Sequence, residues 1–256
     1  MRRKHPKPPL TPKNARLQSY LLPALDSEFL LSDSMRGVRF MLEYAKAEEH
    51  LRAAGIRSTI VVFGSARTKT THRWYKAARE FGALASLRGG ACDSNVKERD
   101  NVIATGGGPG TMEAANRGAA DAGAPSIGFN IQLPHEQWPN RYSTPELTFQ
   151  FHYFAMRKMH LAMRANGLVV FPGGFGTLDE LFEILTLRQT GKVDRLPVVL
   201  FDRAYWTRVI NFDAMLEAEM IERDDLNLFS FAEDAEEIWK RLVAGGLKTP
   251  EPAKRP

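Results

Sequence analysis

The sequence predicts one α/β domain of the doubly wound, Rossmann-like type, with a mainly parallel sheet covered by helices on both faces. Three observations predict it. Short β-branched apolar runs alternate with stretches of helical period from Ser58 to Phe201, which is the pattern of repeated βαβ units. Two of those runs, "NVIAT" (101–105) and "GLVVFP" (167–172), end in glycine loops that open helix-like stretches. No linker divides the region 32–247, so its elements belong to a single sheet.

Each element follows from local chemistry. "SDSMRGVRFMLEYAKAEEHLRAAG" (32–55) reads as an extra N-terminal helix, with Ser32, Asp33 or Ser34 able to cap it and Gly55 able to end it. "STIVVFG" (58–64) reads as a buried strand, 72–88 as a helix and 89–100 as a polar loop. After the 101–105 strand come a helix at 111–122 and a strand at 125–130. A Pro-rich loop (131–146) leads to an alternating strand (147–153). A helix (154–165), the 167–172 strand, a helix (177–189) and a strand (196–201) follow, with helices near 204–219 and 233–244. Residues 1–31 read as a Pro-rich arm and 248–256 as a frayed tail.

Composition limits the class. Apolar residues make up 43% and charged residues 25% of the 256, which predicts a soluble, globular chain with no membrane association. Cys92 is the one cysteine, so no intrachain disulfide forms, in keeping with a cytoplasmic location. The net charge of +5 invites a nucleic-acid partner, but its position argues against one. Arg2, Arg3, Lys4, Lys7, Lys13 and Arg16 are unopposed by any acid, and removing these six takes the formal charge from +5 to −1. The basic segment reads as an unstructured arm or one lying on a partner subunit.

The glycine loops carry the chemistry. Gly107-Gly108-Pro109-Gly110-Thr111 and, sixty-six residues on, Gly173-Gly174-Phe175-Gly176-Thr177 share one pattern. A glycine turn between a parallel strand and a helix aims backbone N–H groups at one point, where the helix dipole favours an anion. Both loops open at the carboxyl edge of the sheet, where such folds bind ligands, so the pair predicts a ligand held from two sides. Thr111 and Thr177 are N-caps or phosphate hydroxyls. Neither loop is a Walker motif and no ribose-binding acid is evident, which disfavours ATP and NAD as cofactors. The histidines (His5, His50, His72, His135, His152, His160) show no metal spacing.

"PGGFGTLDE" (172–180), the Arg157-Lys158 pair of "FAMRKMHLAM", "FGSAR" (63–67) and "GGGPGTMEAANRGA" (106–119) together resemble the LOG family. These are the cytokinin riboside 5′-monophosphate phosphoribohydrolases, often mislabelled lysine decarboxylases, and the long N-terminal region is more similar to the larger, second type. The resemblance implies hydrolysis of the N-glycosidic bond of a nucleoside 5′-monophosphate without metal or redox cofactor, the base being a cytokinin-type purine or the adenine of AMP. It implies that Glu180 stabilises an oxocarbenium-like transition state and orients water. On the residues alone, Glu180 falls in the first turn of a helix, where the dipole favours its ionised form. Arg157 is implied as the catalytic arginine, acting electrostatically because a guanidinium cannot serve as a general acid near neutral pH. Lys158 is implied at phosphate or ribose, Ser65 at phosphate, and Glu113 at ribose or merely at a helix start. A homodimer or larger assembly is implied as well. Met156, Met159 and Met163 recur at helical spacing and read as core or subunit contact. The rival readings are a non-catalytic nucleotide sensor or carrier, a decarboxylase using a lysine-bound pyridoxal phosphate, and an interaction protein working through its basic arm.

Overall fold

The computed structural model describes residues 18–92, 97–133, 138–193 and 196–250. It divides into a small unit up to Ala45 and a large one from Lys46 onward, so the division falls inside the N-terminal helix. In the small unit, Asp26 accepts from Phe29 N–H at 3.0 Å and caps a short helix, α1 (Ser27–Leu31). A 3-10 turn (Asp33–Met35) leads into α2 (Arg36–Ala53). The segment read as an arm therefore carries helix from Ser27 onward, while its basic residues lie outside the described ones.

The large unit is one seven-stranded parallel sheet: β1 (Thr59–Phe63), β2 (Val102–Thr105), β3 (Ser126–Ile131), β4 (Thr148–Phe151), β5 (Ala165–Val170), β6 (Val198–Phe201) and β7 (Ser230–Ala232). Their spatial order is β4-β3-β2-β1-β5-β6-β7, and every neighbouring pair is parallel. Strands β1, β2 and β6 are buried along their whole length, as residues covered on both faces of a parallel sheet must be. The intervening helices are α3 (Arg73–Gly89), α4 (Thr111–Asp121), α5 (Phe154–Met163), α6 (Phe175–Gln189), α7 (Arg203–Val209), α8 (Phe212–Glu217) and α9 (Ala235–Ala244). The chain builds outward from β1 through β4, then returns through α5 to add β5 on the other side. The order reverses between β1 and β5, and that reversal is where the strand-end loops splay apart.

In the large unit, four of the described helices start on a side-chain cap: His72 for α3, Asp202 for α7, Asn211 for α8 and Asp234 for α9. Helices α4 and α6 start on Gly110 and Gly174, which offer no side chain. Their first N–H groups therefore have no side-chain acceptor at the N-cap position. The second half of α2 is tied to the foot of β5 by Arg164, whose two terminal nitrogens each donate to Glu48 at 2.8 Å. Hydrogen bonding from Arg164 outweighs the opposing effect of burial and holds the Glu48 carboxyl down at about 2.

Three expectations are corrected. The stretch 204–219 is two helices, because Asn211 accepts from Ala214 N–H and starts α8 afresh. A further strand, β7, pairs with β6 through Leu200 and Phe231. Lys248 is not the start of a frayed tail: its carbonyl accepts from Asn101 Nδ2 at 2.9 Å and Asn166 Nδ2 at 2.8 Å. Asn101 is wholly buried, so its amide needs that acceptor. Among the described residues, no helix is long and apolar enough to cross a membrane.

Candidate active site

At the reversal, backbone bonds stitch three loops together. Phe171 N–H donates to Phe63 O at 2.8 Å, Ser65 N–H to Pro172 O at 3.0 Å, and Thr111 N–H to Ser65 O at 3.0 Å. Above them opens a cavity of about 640 Å³. Its walls are Gly64, Ser65 and Arg67 from the β1 loop, Gly106 and Met112 from the β2 loop, Arg157 from α5, Gly173 to Leu178 from the β5 loop, and Tyr205 and Val209 from α7.

The first glycine loop faces inward. Gly107, Gly108 and Gly110 are buried. Gly107 has φ +70°, and a Cβ there would lie 2.3 Å from the Asn130 amide. Its N–H donates to Thr105 Oγ1 at 3.0 Å and its carbonyl accepts from Asn140 N–H at 2.8 Å. Gly108 O accepts from Asn140 Nδ2 at 3.2 Å. Thr111 is fully buried, with its hydroxyl 3.1 Å from that of Thr68. Glu113 accepts from the Tyr75 hydroxyl at 2.8 Å and does not line the cavity. Protein partners thus already engage these residues, and only Gly106 and Met112 of this loop line the cavity.

The second loop faces outward. Gly174, Phe175 and Gly176 are exposed, and no atom lies within 4 Å of a Cβ built at Gly174 or Gly176. Both have ordinary negative φ, so nothing inside the chain requires glycine at either position. Gly173 differs, since its missing Cβ makes room for Thr177. Its carbonyl accepts from the Tyr205 hydroxyl at 2.7 Å.

Arg157 Nη2 donates to Glu180 Oε1 at 2.7 Å. Arg157 lines the cavity, whereas Glu180 sits behind it, 3% exposed. The expectation for Glu180 is corrected here. Helix α6 begins at Phe175 rather than Thr177, which puts Glu180 in its second turn. Burial pushes its carboxyl up from the ordinary value, and the charge of Arg157 offsets this only in part. Arg157 Nε is buried without a hydrogen-bond partner, and its guanidinium lies 5.0 Å from the Phe154 ring centre. Lys158 points elsewhere: Nζ is 2.8 Å from Asp179 and 3.2 Å from Glu183, and it does not line the cavity.

The structure thus brings Ser65, Arg157, Gly173, Gly174, Gly176 and Thr177 to one cavity. It sets Gly107, Gly108, Gly110, Thr111, Glu113 and Lys158 apart from it. Sequence reasoning missed Arg67, Met112, Phe175, Tyr205 and Val209. Arg67 lay inside the quoted "FGSAR". Tyr205 and Val209 follow β6, whose end opens on the same sheet edge, so strand order would have found them.

The chain is thus a doubly wound α/β protein with a glycine-lined cavity at the reversal of its parallel sheet and Arg157 in the cavity wall, backed by Glu180. The family model described as "Possible lysine decarboxylase" matches residues 112–242, about half of the sequence, and the chain belongs to that family, the LOG family. It is 27% identical over 190 residues to a probable cytokinin riboside 5′-monophosphate phosphoribohydrolase LOG4 of Oryza sativa subsp. japonica, covering 72% of this chain and 76% of that protein. It is 26% identical over 150 residues to LOG3 of Arabidopsis thaliana, covering 57% and 68%. Among solved structures, it is similar to the molybdenum cofactor binding protein of Rippkaea orientalis, at 20% identity and TM-score 0.50, over 73% of this chain and 97% of that one. An X-ray structure of TM1055 matches at 20% identity and TM-score 0.51, over 73% and 99%. These two likenesses concern the fold alone. The decarboxylase description implies a pyridoxal phosphate bound through lysine. The described residues do not fit it, since no lysine among them lines the cavity and Lys158 is held by two carboxylates.

Proposed function

We propose that the chain is a phosphoribohydrolase that cleaves the N-glycosidic bond of a purine nucleoside 5′-monophosphate, of cytokinin type or AMP, to free base and ribose 5-phosphate. The observation that carries the reading is the open cradle at Gly174 and Gly176. Space that a Cβ could fill stands vacant at an uncapped helix start, where backbone N–H groups and the dipole favour a phosphate. The Arg157–Glu180 pair beside it supports hydrolysis over mere binding, because a carrier needs the cradle but not the pair. The names of the curated relatives support the same reaction.

In the proposed reaction the C1′–N bond lengthens and positive charge spreads over C1′ and the ring oxygen. For Glu180 to stabilise that charge and take a proton from the attacking water, as the family resemblance implies, its carboxylate must reach past Arg157 into the cavity from its place behind the wall. Arg157 holds the carboxylate in place and offers its guanidinium to the departing base or the phosphate. Water supplies the hydroxyl of ribose 5-phosphate, and its proton completes the free base.

The test is incubation with a panel of nucleoside 5′-monophosphates, with free base read by chromatography. Release of adenine or an N6-substituted adenine is expected, with the unphosphorylated nucleoside far poorer. Equal turnover of nucleoside and nucleotide would remove the phosphate cradle from the argument. Glu180→Gln and Arg157→Ala should each lower turnover by at least ~10²-fold.

The reading includes a homodimer. Phe154 and Met163 of α5 are 51% and 49% exposed, a surplus apolar face on the helix that carries Arg157. Light scattering on active protein should give at least twice the chain mass of 28.7 kDa; full activity at the single-chain mass would overturn this part.

A further inference from the structure

The charges around the cavity do not balance, and the surplus sits on one side chain. Among the described residues, two cations line it, Arg67 and Arg157, and no carboxylate does. Arg157 is matched by Glu180 at 2.7 Å. The nearby Lys158 is matched outside the cavity by Asp179 and Glu183. Arg67 forms no salt bridge with any described residue.

The chain holds Arg67 in place from both sides while leaving its side chain in solvent. Its N–H donates to Ser65 Oγ at 3.1 Å, which closes a tight turn after β1. The next residue, Thr68, has its hydroxyl 3.1 Å from that of buried Thr111. The first glycine loop, which turns away from the cavity, thus braces the turn that presents Arg67. On the other flank, Ser65 N–H reaches Pro172 O, so the Arg67 turn and the second glycine loop are adjacent strand-end loops. A guanidinium that is always charged, with donors arranged as a fork, matches two oxygens of a phosphate.

We propose that Arg67 reads the substrate's phosphate, and so sets the preference for a 5′-phosphorylated over an unphosphorylated ligand. This replaces Lys158, whose charge is already spent, as the cation for that role. The assignment rests on the nucleotide reading above.

The experiment measures binding of ribose 5-phosphate and of inorganic phosphate to the full chain by titration calorimetry, for wild type, Arg67→Ala and Arg67→Lys. Nucleotide and nucleoside hydrolysis are assayed in parallel, and thermal melts confirm folding. Arg67→Ala should weaken ribose 5-phosphate binding roughly 10- to 100-fold, as loss of charge-assisted hydrogen bonds does. The nucleotide-over-nucleoside preference should fall by a similar factor, with the loss in KM. Arg67→Lys should recover part of the affinity, because it keeps the charge without the fork. Unchanged ribose 5-phosphate binding in Arg67→Ala would show a merely solvated arginine and overturn the proposal. A wild type that binds neither probe would overturn it too. If binding depends on Arg67 while no nucleotide is hydrolysed, the assignment of Arg67 stands and the hydrolase reading falls.

Discussion

Gly110 and Gly176 hold the same place in two copies of one motif, yet a methyl group added to each would meet opposite surroundings. At Gly110 it would lie 2.4 Å from the Ser65 carbonyl oxygen, and at Gly176 nothing lies within 4 Å. The difference comes from where the parent strands sit. Strand β2 lies between β1 and β3, and the segment carrying Asn140 bonds across its loop. Strand β5 borders the reversal, so its loop has a free side. One motif thus serves as a packed corner in one place and as an open cradle in the other. Strand order, not the glycine pattern, decides which.

The largest effect expected from this contrast is on folding. Gly110→Ala forces a side chain into φ +70° and against backbone that cannot move aside, at a cost of about 3 kcal/mol. The melting temperature should fall by roughly 6–12 °C. Gly174→Ala has room and an ordinary φ, so its melt should match wild type. Equal losses in both variants, read by circular dichroism, would erase the distinction between the loops.

Next in size is an effect on activity alone. Gly174→Ala puts a methyl group where the phosphate is proposed to sit and should lower kcat/KM by at least ~10-fold, about 1.4 kcal/mol. An active Gly174→Ala enzyme would mean that the cradle is empty space rather than a binding surface. A smaller effect is expected from Tyr205→Phe. The open loop is held from outside by the Tyr205 hydroxyl on Gly173 O, and Tyr205 is placed by Asp202, which accepts from its N–H at 3.2 Å and from Trp74 Nε1 at 2.8 Å. Losing that hydroxyl removes about 1 kcal/mol, so KM should rise several-fold while kcat holds. A fall in kcat with KM unchanged would place Tyr205 at the reacting atoms instead.

These contrasts also mark what the sequence could and could not disclose. The alternation of strands and helices was legible because buried parallel strands such as "TIVVF" and "VVLF" are continuous apolar runs. The pairing of the glycine loops was legible in their spacing, whereas Arg157 and Glu180 stood out only through the family resemblance, since on the residues alone each reads as a helix charge. The inward turn of the first loop was not, because it depends on Asn130 and Asn140, which lie outside the motif. Nor was the engagement of Lys158, since its partners Asp179 and Glu183 come from another helix. The strand β7 escaped because its three residues are too short for a period to show. The direction of the Glu180 pKa shift was misjudged because a two-residue shift in the start of α6 exchanges the helix dipole for burial as the governing influence.

That shift yields the smallest expected effect, and it separates the open loop's helix from its counterpart in α4, where Glu113 has a tyrosine partner instead of an arginine. Burial raises the Glu180 carboxyl above its ordinary value. The folded protein therefore binds this proton more tightly than the unfolded chain does. The stability linked to it is fully present below the unfolded pKa and is lost as pH rises through the folded one. Glu180→Gln cannot titrate, so it lacks this loss. The melting temperature of the variant minus that of wild type should become more positive from pH 4 to pH 8, because the remaining titrating groups are common to both proteins. A difference that grows more negative with pH would mean that the ion pair with Arg157 outweighs burial, and Glu180 would then be an ordinary ionised partner at the wall of the cavity.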